Sequence, residues 1–141
     1  MILVDTNVLV ALADPRDGLN ARAVADLRRL VGRPMMLTQG VLMEAFALVA
    51  GRSARARLRA VIESLDPHPC AVEADRDFWL EAFAWLERYA EHDPDWTDAV
   101  LAVLAGRFRK WSVWTFDREF TTLWRSSNGS VIPLAVTNHG K

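Results

Sequence analysis

The sequence predicts an α/β domain in which a mostly parallel sheet is covered by helices on both faces. Strand-like and helix-like segments alternate along the chain, which is the order that a parallel sheet with crossover helices requires. Two apolar runs, at residues 1–4 and 112–116, each end directly in an aspartate. The chain has 141 residues, 51% of them apolar, which suits a core of ordinary size. We therefore expect a single domain over residues 1–141.

The first third of the chain begins with a strand and continues with two helices. Residues 2–5 form an apolar run of strand length, and residues 7–13 follow as a short helix. The polar turn at 14–18, rich in aspartate and containing proline and glycine, ends that helix. Residues 19–31 carry apolar side chains at helical spacing and stop at Gly32, which predicts an amphipathic helix.

The next segments are a short strand and two further helices. Residues 35–37 are apolar and predict the second strand. Thr38 is a favoured N-cap residue and predicts a helix over about 40–50. Ser53 has the same property and predicts a helix over about 54–65.

The second half of the chain repeats the alternation with longer helices. Residues 70–72 are interpreted as a strand or as merely extended chain, and residues 73–92 as the longest helix. Pro94 suits a helix start, and the helix is predicted to continue over 99–108 along an apolar face. Three elements complete the prediction: a strand at 112–116, a short helix at 118–124 and a last strand at 131–136.

The charge of the chain is unevenly distributed although its net value is −1. Residues 1–62 carry nine arginines against five acids, whereas residues 63–100 carry two arginines against eleven acids. Residues 101–141 carry six basic residues against two acids. An acidic middle between basic flanks fits a metal centre bordered by side chains that attract phosphate, and a solvated acidic helix remains the alternative.

Other features narrow the class of protein. Cys70 is the single cysteine, which excludes a disulfide framework and a thiolate zinc site. The sequence shows no secretory signal, so a cytoplasmic location is expected. No apolar stretch approaches the roughly 20 residues that a membrane-spanning helix needs.

Four acids occupy positions where a parallel sheet would bring them together. Asp5 ends the first strand, and Asp117 ends the strand at 112–116. Glu44 and Asp98 lie near the starts of helices. Strand ends and the starts of the following helices share one edge of such a sheet, where ligands usually bind. We therefore expect all four carboxylates to converge.

Converging carboxylates repel one another and raise each other's pKa unless a cation compensates them. Oxygen ligands of this kind favour Mg²⁺ or Mn²⁺. An ion in such a site can activate water and stabilise a leaving oxyanion, which is the chemistry of phosphodiester hydrolysis.

Each carboxylate also has a structural interpretation. Asp5 and Asp117 are both suited to cap the helices that follow them. A helical Glu such as Glu44 is usually solvated, although its neighbours here are apolar. Asp98 competes with Asp95 for the same helix start, where Asp95 is expected to cap or to act as an outer ligand.

Polar and basic neighbours complete the predicted site. Thr6, Asn7 and Thr115 are placed to orient a carboxylate or a water, with local turn bonding as the alternative. Arg52, Arg55 and Arg59 share one helical face and are predicted to contact phosphates if that face borders the acidic edge. A solvated surface is the default interpretation of these arginines.

Four segments together resemble the motifs of PIN-domain nucleases. They are VDTNVL at residues 4–9, TQGVLME ending at Glu44, TDAVLA containing Asp98, and VWTFD ending at Asp117. The order of these motifs and the chain length resemble the VapC-type toxins of toxin–antitoxin pairs. The resemblance implies a three-layer α/β/α fold, an Mg²⁺- or Mn²⁺-dependent ribonuclease, RNA as substrate, a small antitoxin partner and a homodimer.

Two other functions are compatible with part of the pattern. A non-catalytic PIN-like module for RNA processing would share the fold, but we expect such a protein to lack one of the acids. A phosphatase with an aspartyl nucleophile needs a second aspartate two residues after the first. Asn7 occupies that position, so this alternative ranks low.

Overall fold

The computed structural model describes residues 1–137, and positions 138–141 of the predicted domain lie outside the described residues. Four short parallel strands form one sheet in the order β3-β2-β1-β4. The strands are β1 (Ile2–Val4), β2 (Met35–Leu37), β3 (His68–Pro69) and β4 (Ser112–Trp114). The helices are α1 (Thr6–Ala13), α2 (Asn20–Leu30), α3 (Gln39–Leu48), α4 (Arg52–Leu65), α5 (Arg76–Arg88), α6 (Trp96–Arg107) and α7 (Glu119–Thr122), with a 3₁₀ turn at Ala90–His92.

Alternate residues of the central strands pack against helices on opposite faces of the sheet. Leu3, Met36 and Val113 join a core cluster with buried side chains of α5 and α6. Ile2 and Trp114 join a second cluster with buried side chains of α1, α2, α3 and α4. This alternation follows from the two-residue period of a strand. The α/β prediction and the three-layer α/β/α arrangement are both confirmed.

The central strand is the first one in the sequence. Leu3 of β1 pairs with Met36 of β2 on one side and with Val113 of β4 on the other. Both pairings are parallel, so the carboxyl ends of β1, β2 and β4 lie at the same edge of the sheet. This edge is the place where the predicted strand-end acids are presented.

Several predicted boundaries differ from the observed ones for local reasons. The helix predicted at 73–92 begins at Arg76, because the Asp75 side chain accepts a hydrogen bond from the Phe78 N–H and caps it. It ends at Arg88 and is followed by the 3₁₀ turn. Ser53 does not cap α4, whose N-cap is Gly51 in a conformation with φ of 87°.

The predictions were less accurate for the strands at the two edges of the sheet. The strand beside β2 is His68–Pro69 rather than 70–72, although the Cys70 N–H still donates to the Leu37 carbonyl. Residues 131–136 form only isolated bridges, one of which pairs Leu134 with Val113. Among residues 1–137, no helix combines the length and apolarity that crossing a membrane requires.

Candidate active site

An acidic cleft of about 330 Å³ lies at the carboxyl edge of the sheet. It contains all four carboxylates that the sequence singled out, together with Asp95. The cleft is lined by Asp5, Thr6, Asn7, Val10, Asp17, Leu19, Glu44, Leu48, Asp95, Asp98 and Asp117. A larger groove of about 520 Å³ lies elsewhere and is mostly apolar, and none of these carboxylates lines it. The acidic cleft is therefore the candidate active site, although it is not the largest cavity.

Asp5 is the buried member of the group, with 6% of its surface exposed. Its Oδ1 accepts a hydrogen bond from the Thr6 N–H at 2.7 Å and caps α1. Its Oδ2 accepts a hydrogen bond from the Thr115 hydroxyl at 2.7 Å. Burial raises the pKa of Asp5 to about 6 in spite of these two bonds, and the nearby Asp117 charge adds to the effect. The carboxylate is thus held in place but is costly to ionise.

Thr115 and Asn7 connect β4 to the start of α1. The Thr115 hydroxyl donates to Asp5 and accepts from the Asp117 N–H at 3.0 Å. The Asn7 amide donates to Thr115 Oγ1 at 3.3 Å, and its Oδ1 accepts from the Phe116 N–H at 3.1 Å. These bonds fix the segment between β4 and Asp117 relative to Asp5.

Glu44 projects from α3 between α1 and α6. Its Oε2 accepts a hydrogen bond from the Thr6 hydroxyl at 2.8 Å. Its Oε1 accepts one from the Thr97 hydroxyl at 2.5 Å. Thr6 was predicted to orient a carboxylate, and in this structure it bonds to Glu44 through its hydroxyl.

Asp98 and Asp95 face each other at the start of α6. The Asp95 side chain accepts from the Asp98 N–H at 2.8 Å, and the Asp98 side chain accepts from the Asp95 N–H at 3.2 Å. This reciprocal pattern is a capping box, in which each side chain satisfies one free N–H of the first turn. Burial and then the Asp95 charge raise the pKa of Asp98 to about 8. Asp95 is the N-cap, so α6 begins at Trp96 rather than at the predicted Pro94.

Asp117 follows β4 and lines the cleft. Its Oδ1 accepts a hydrogen bond from the Glu119 N–H at 2.9 Å, so the side chain also supports the turn into α7. The N-cap position of α7 is Arg118, which makes no capping bond through its side chain. Asp117 therefore combines a local turn role with a place in the cleft.

The three predicted RNA-contacting arginines lie outside the lining of the acidic cleft. Arg59 forms an exposed ion pair with Glu63 at 2.7 Å. The Arg55 guanidinium lies 4.0 Å from the centre of the Phe46 ring and donates to the Val49 carbonyl at 3.3 Å. Arg52 is exposed at the start of α4.

Two residues near the cleft escaped the sequence interpretation. Thr97 bonds to Glu44, and its position directly before Asp98 was the available signal. The exposed Arg22 places its guanidinium 5.0 Å from the centre of the Phe116 ring, next to Asp117. Nothing local in the sequence relates Arg22 to a residue so distant along the chain.

The donor set of the cleft suits a hard divalent cation, because the available ligands are carboxylate and hydroxyl oxygens. The raised pKa values of Asp5 and Asp98 show that negative charge here lacks compensation. Within residues 1–137, no three Asp, Glu, His or Cys side chains already stand in a geometry that holds an ion. The oxygen atoms that line the cleft are of the kind that Mg²⁺ or Mn²⁺ prefers. To hold such an ion, the carboxylate side chains would have to move closer together.

Comparison with known proteins places this geometry in a family. No curated protein sequence matches the chain. Among solved structures, the chain is similar to VapC20 of Mycobacterium tuberculosis, a toxin that cleaves the sarcin-ricin loop. The two share 22% identity and superpose with a TM-score of 0.70 over 90% of this chain and 98% of the other, which shows a common fold. The family model for the PIN domain matches residues 2–123, so the chain belongs to the PIN domain family.

Proposed function

We propose that this protein is an Mg²⁺- or Mn²⁺-dependent endoribonuclease and that it is the toxin of a VapBC-type toxin–antitoxin pair. The observation that carries the proposal is the acidic cleft, where carboxylates from widely separated parts of a PIN-domain chain line one space. The fold shared with VapC20 supports the toxin assignment.

The four carboxylates are proposed as ligands of the divalent ion. Asp5 is fixed by Thr6 and Thr115, and Glu44 by Thr6 and Thr97, so both present oxygens of defined orientation. Asp98 and Asp117 complete the ligand set. A bound divalent ion would activate water and neutralise charge on the scissile phosphate. One of these carboxylates would accept the proton of the attacking water.

Basic side chains outside the cleft are proposed to hold the RNA backbone. Arg52, Arg55 and Arg59 on α4 were predicted for this role, and Arg22 joins them because it lies beside Phe116 and Asp117. Neutralising phosphates with arginine releases counterions, so we expect RNA binding to weaken as salt is raised.

The proposed partner, assembly and location of the protein follow from the toxin hypothesis. A small antitoxin protein is proposed as the partner, a homodimer as the assembly and the cytoplasm as the location. Exposed aromatic side chains on α5, at Trp79 and Phe83, offer a surface for protein contact. Trp85, on the same helix, is buried against Trp124 and belongs to the core.

Comparing RNA cleavage by the wild type and by Asp98→Asn tests the proposed enzyme. Asparagine retains an oxygen that can accept from the Asp95 N–H, so the capping bond and the fold should survive. We expect cleavage with Mg²⁺ or Mn²⁺ by the wild type and a loss of at least about 100-fold in the variant. Asp77→Asn, an exposed aspartate in the first turn of α5, is the matched control and should cleave normally.

The same assay separates the rival functions. Equal cutting by wild type and Asp98→Asn would contradict the assigned site. RNA binding without cleavage in either ion would favour a non-catalytic PIN-like module. Trapping of a phosphorylated Asp5 would favour the aspartyl phosphatase, which the bonding of Asn7 to Thr115 and Phe116 does not support.

A further inference from the structure

Both oxygens of the Glu44 carboxylate are held by threonine hydroxyls from two other helices. Thr6 is the first residue of α1, and Thr97 lies in the first turn of α6. The two threonines are 7% and 3% exposed, so water competes little for these hydrogen bonds. A glutamate side chain has several rotatable bonds, and two fixed donors remove most of that freedom.

The contact between Glu44 and Thr97 depends on a close approach of α3 to α6. Gly40 lies four residues before Glu44 and therefore on the same face of α3. A Cβ atom added at Gly40 would lie 3.2 Å from Thr97 Oγ1, which is tighter than an ordinary contact. Glycine at this position leaves the space that lets the threonine hydroxyl reach the carboxylate.

Thr97 itself is not part of the cleft surface. Thr6 and Glu44 both line the cleft, whereas Thr97 lies behind Glu44 and is almost completely buried. Its hydroxyl can therefore affect a substrate or an ion only through the orientation of Glu44. Thr97 differs in this respect from Asp98, its neighbour in sequence, which lines the cleft directly.

We propose that Thr97 is a positioning residue that aims the Glu44 carboxylate into the acidic cleft, with Gly40 providing the clearance. The proposal rests on the function proposed above for the acidic cleft. Removing the hydroxyl leaves Glu44 Oε1 without its partner and allows the side chain to rotate. The consequence is weaker ion binding and a slower reaction, with RNA binding unchanged.

The experiment compares Thr97→Val and Thr97→Ser with the wild type. Valine keeps the shape of the side chain and loses the hydroxyl, whereas serine keeps the hydroxyl. For Thr97→Val we expect kcat to fall about 10- to 100-fold, KM for RNA to stay constant and the Mn²⁺ concentration for half-maximal thermal stabilisation to rise. Thr97→Ser should restore both readouts to within about threefold of the wild type.

Two further variants separate positioning from a general loss of packing. In a Glu44→Gln background, adding Thr97→Val should cause little further loss of kcat, because the group it positions is already altered. Ser112→Ala removes another buried hydroxyl, whose Oγ has no hydrogen-bond partner within residues 1–137, and should leave both readouts unchanged. Gly40→Ala should reproduce part of the Thr97→Val effect, because the added Cβ would lie 3.2 Å from Thr97 Oγ1 and displace the hydroxyl from Glu44.

Each outcome decides the proposal. Wild-type values of kcat and of the Mn²⁺ midpoint in Thr97→Val would overturn it, as would an equal loss in Thr97→Ser. If the wild type binds Mn²⁺ but cuts no RNA, the proposed function falls, and the midpoint shift alone still decides the role of Thr97. If the wild type neither cuts RNA nor binds Mn²⁺, both proposals are overturned.

Discussion

At the scale of single residues, Asp5 shows how the fold places a charge where water cannot stabilise it. The side chain follows the buried strand β1 and is almost completely enclosed. The bonds from the Thr6 N–H and the Thr115 hydroxyl offset part of the desolvation. The pKa nevertheless remains raised to about 6, so ionisation of Asp5 opposes folding at neutral pH.

The metal-free protein should therefore lose stability as pH rises between about 4 and about 6. In this window the unfolded chain releases the Asp5 proton near its ordinary value of 3.8, whereas the folded chain retains it. We expect the free energy of unfolding to fall by up to roughly 3 kcal/mol from this group. Urea unfolding in chelator at several pH values measures the effect.

Asp5→Asn is the matched comparison for this pH dependence. It should reduce the fall in unfolding free energy, since asparagine does not titrate whereas Asp98, whose pKa is raised to about 8, still does. It should also abolish the thermal stabilisation by Mg²⁺ or Mn²⁺. Identical pH profiles for the two proteins would contradict the assignment of the effect to Asp5. Stabilisation of both by the ion would place the cation elsewhere.

The acids that follow strands were predictable from the sequence. Residues whose contacts depend on the distance between two helices were not. Asp5 and Asp117 follow apolar runs, and that local pattern survives folding unchanged. The bond from Thr97 to Glu44 depends on how closely α3 approaches α6 at Gly40. No pattern within either helix encodes that separation, so the threonine was not predicted.

At the scale of elements, Asp95 at the start of α6 has both a structural and an electrostatic role. The side chain accepts the Asp98 N–H and caps the helix. Its charge also raises the pKa of Asp98. The same residue thus stabilises the helix end and strengthens the need for a cation.

Asparagine and alanine at position 95 should separate these two roles. Asp95→Asn keeps an oxygen that can cap α6 and removes the charge, whereas Asp95→Ala removes both. In the absence of divalent ions, we expect Asp95→Ala to be less stable than Asp95→Asn by about 1 kcal/mol in urea unfolding. Equal stabilities would show that the capping bond contributes nothing measurable.

The alternation of strands and helices was predictable from the sequence, but the edges of the sheet were not. Strands β1, β2 and β4 are buried apolar runs, and each was predicted within two residues of its observed bounds. Residues 131–136 have a similar composition, but Pro133 has no N–H to donate. The segment therefore pairs with β4 only around Val113.

At the scale of the whole molecule, large apolar side chains remain exposed on α3, α5 and the start of α6. Phe83 is 59% exposed, and its ring centre lies 5.1 Å from that of Trp96. Met43, Trp79 and Trp96 line one shallow pocket beside them. Apolar side chains grouped in this way are typical of a surface for protein contact, which supports the proposed homodimer.

A charge at this surface should shift the oligomeric state. We expect the wild type to sediment as a dimer at micromolar concentration and Phe83→Glu to sediment as a monomer, because a buried unpaired carboxylate opposes association. Val31→Glu, at an exposed position after α2, is the control and should remain dimeric. A monomeric wild type would contradict the proposed homodimer.

The central place of β1 has a consequence for synthesis on the ribosome. Asp5 leaves the exit tunnel early, yet its partner Thr115 is 110 positions further along the chain. The first strand must therefore wait, unpaired on the side that β4 will occupy, until residues 112–114 have left the tunnel. A nascent chain that has not yet released β4 therefore lacks an assembled acidic cleft.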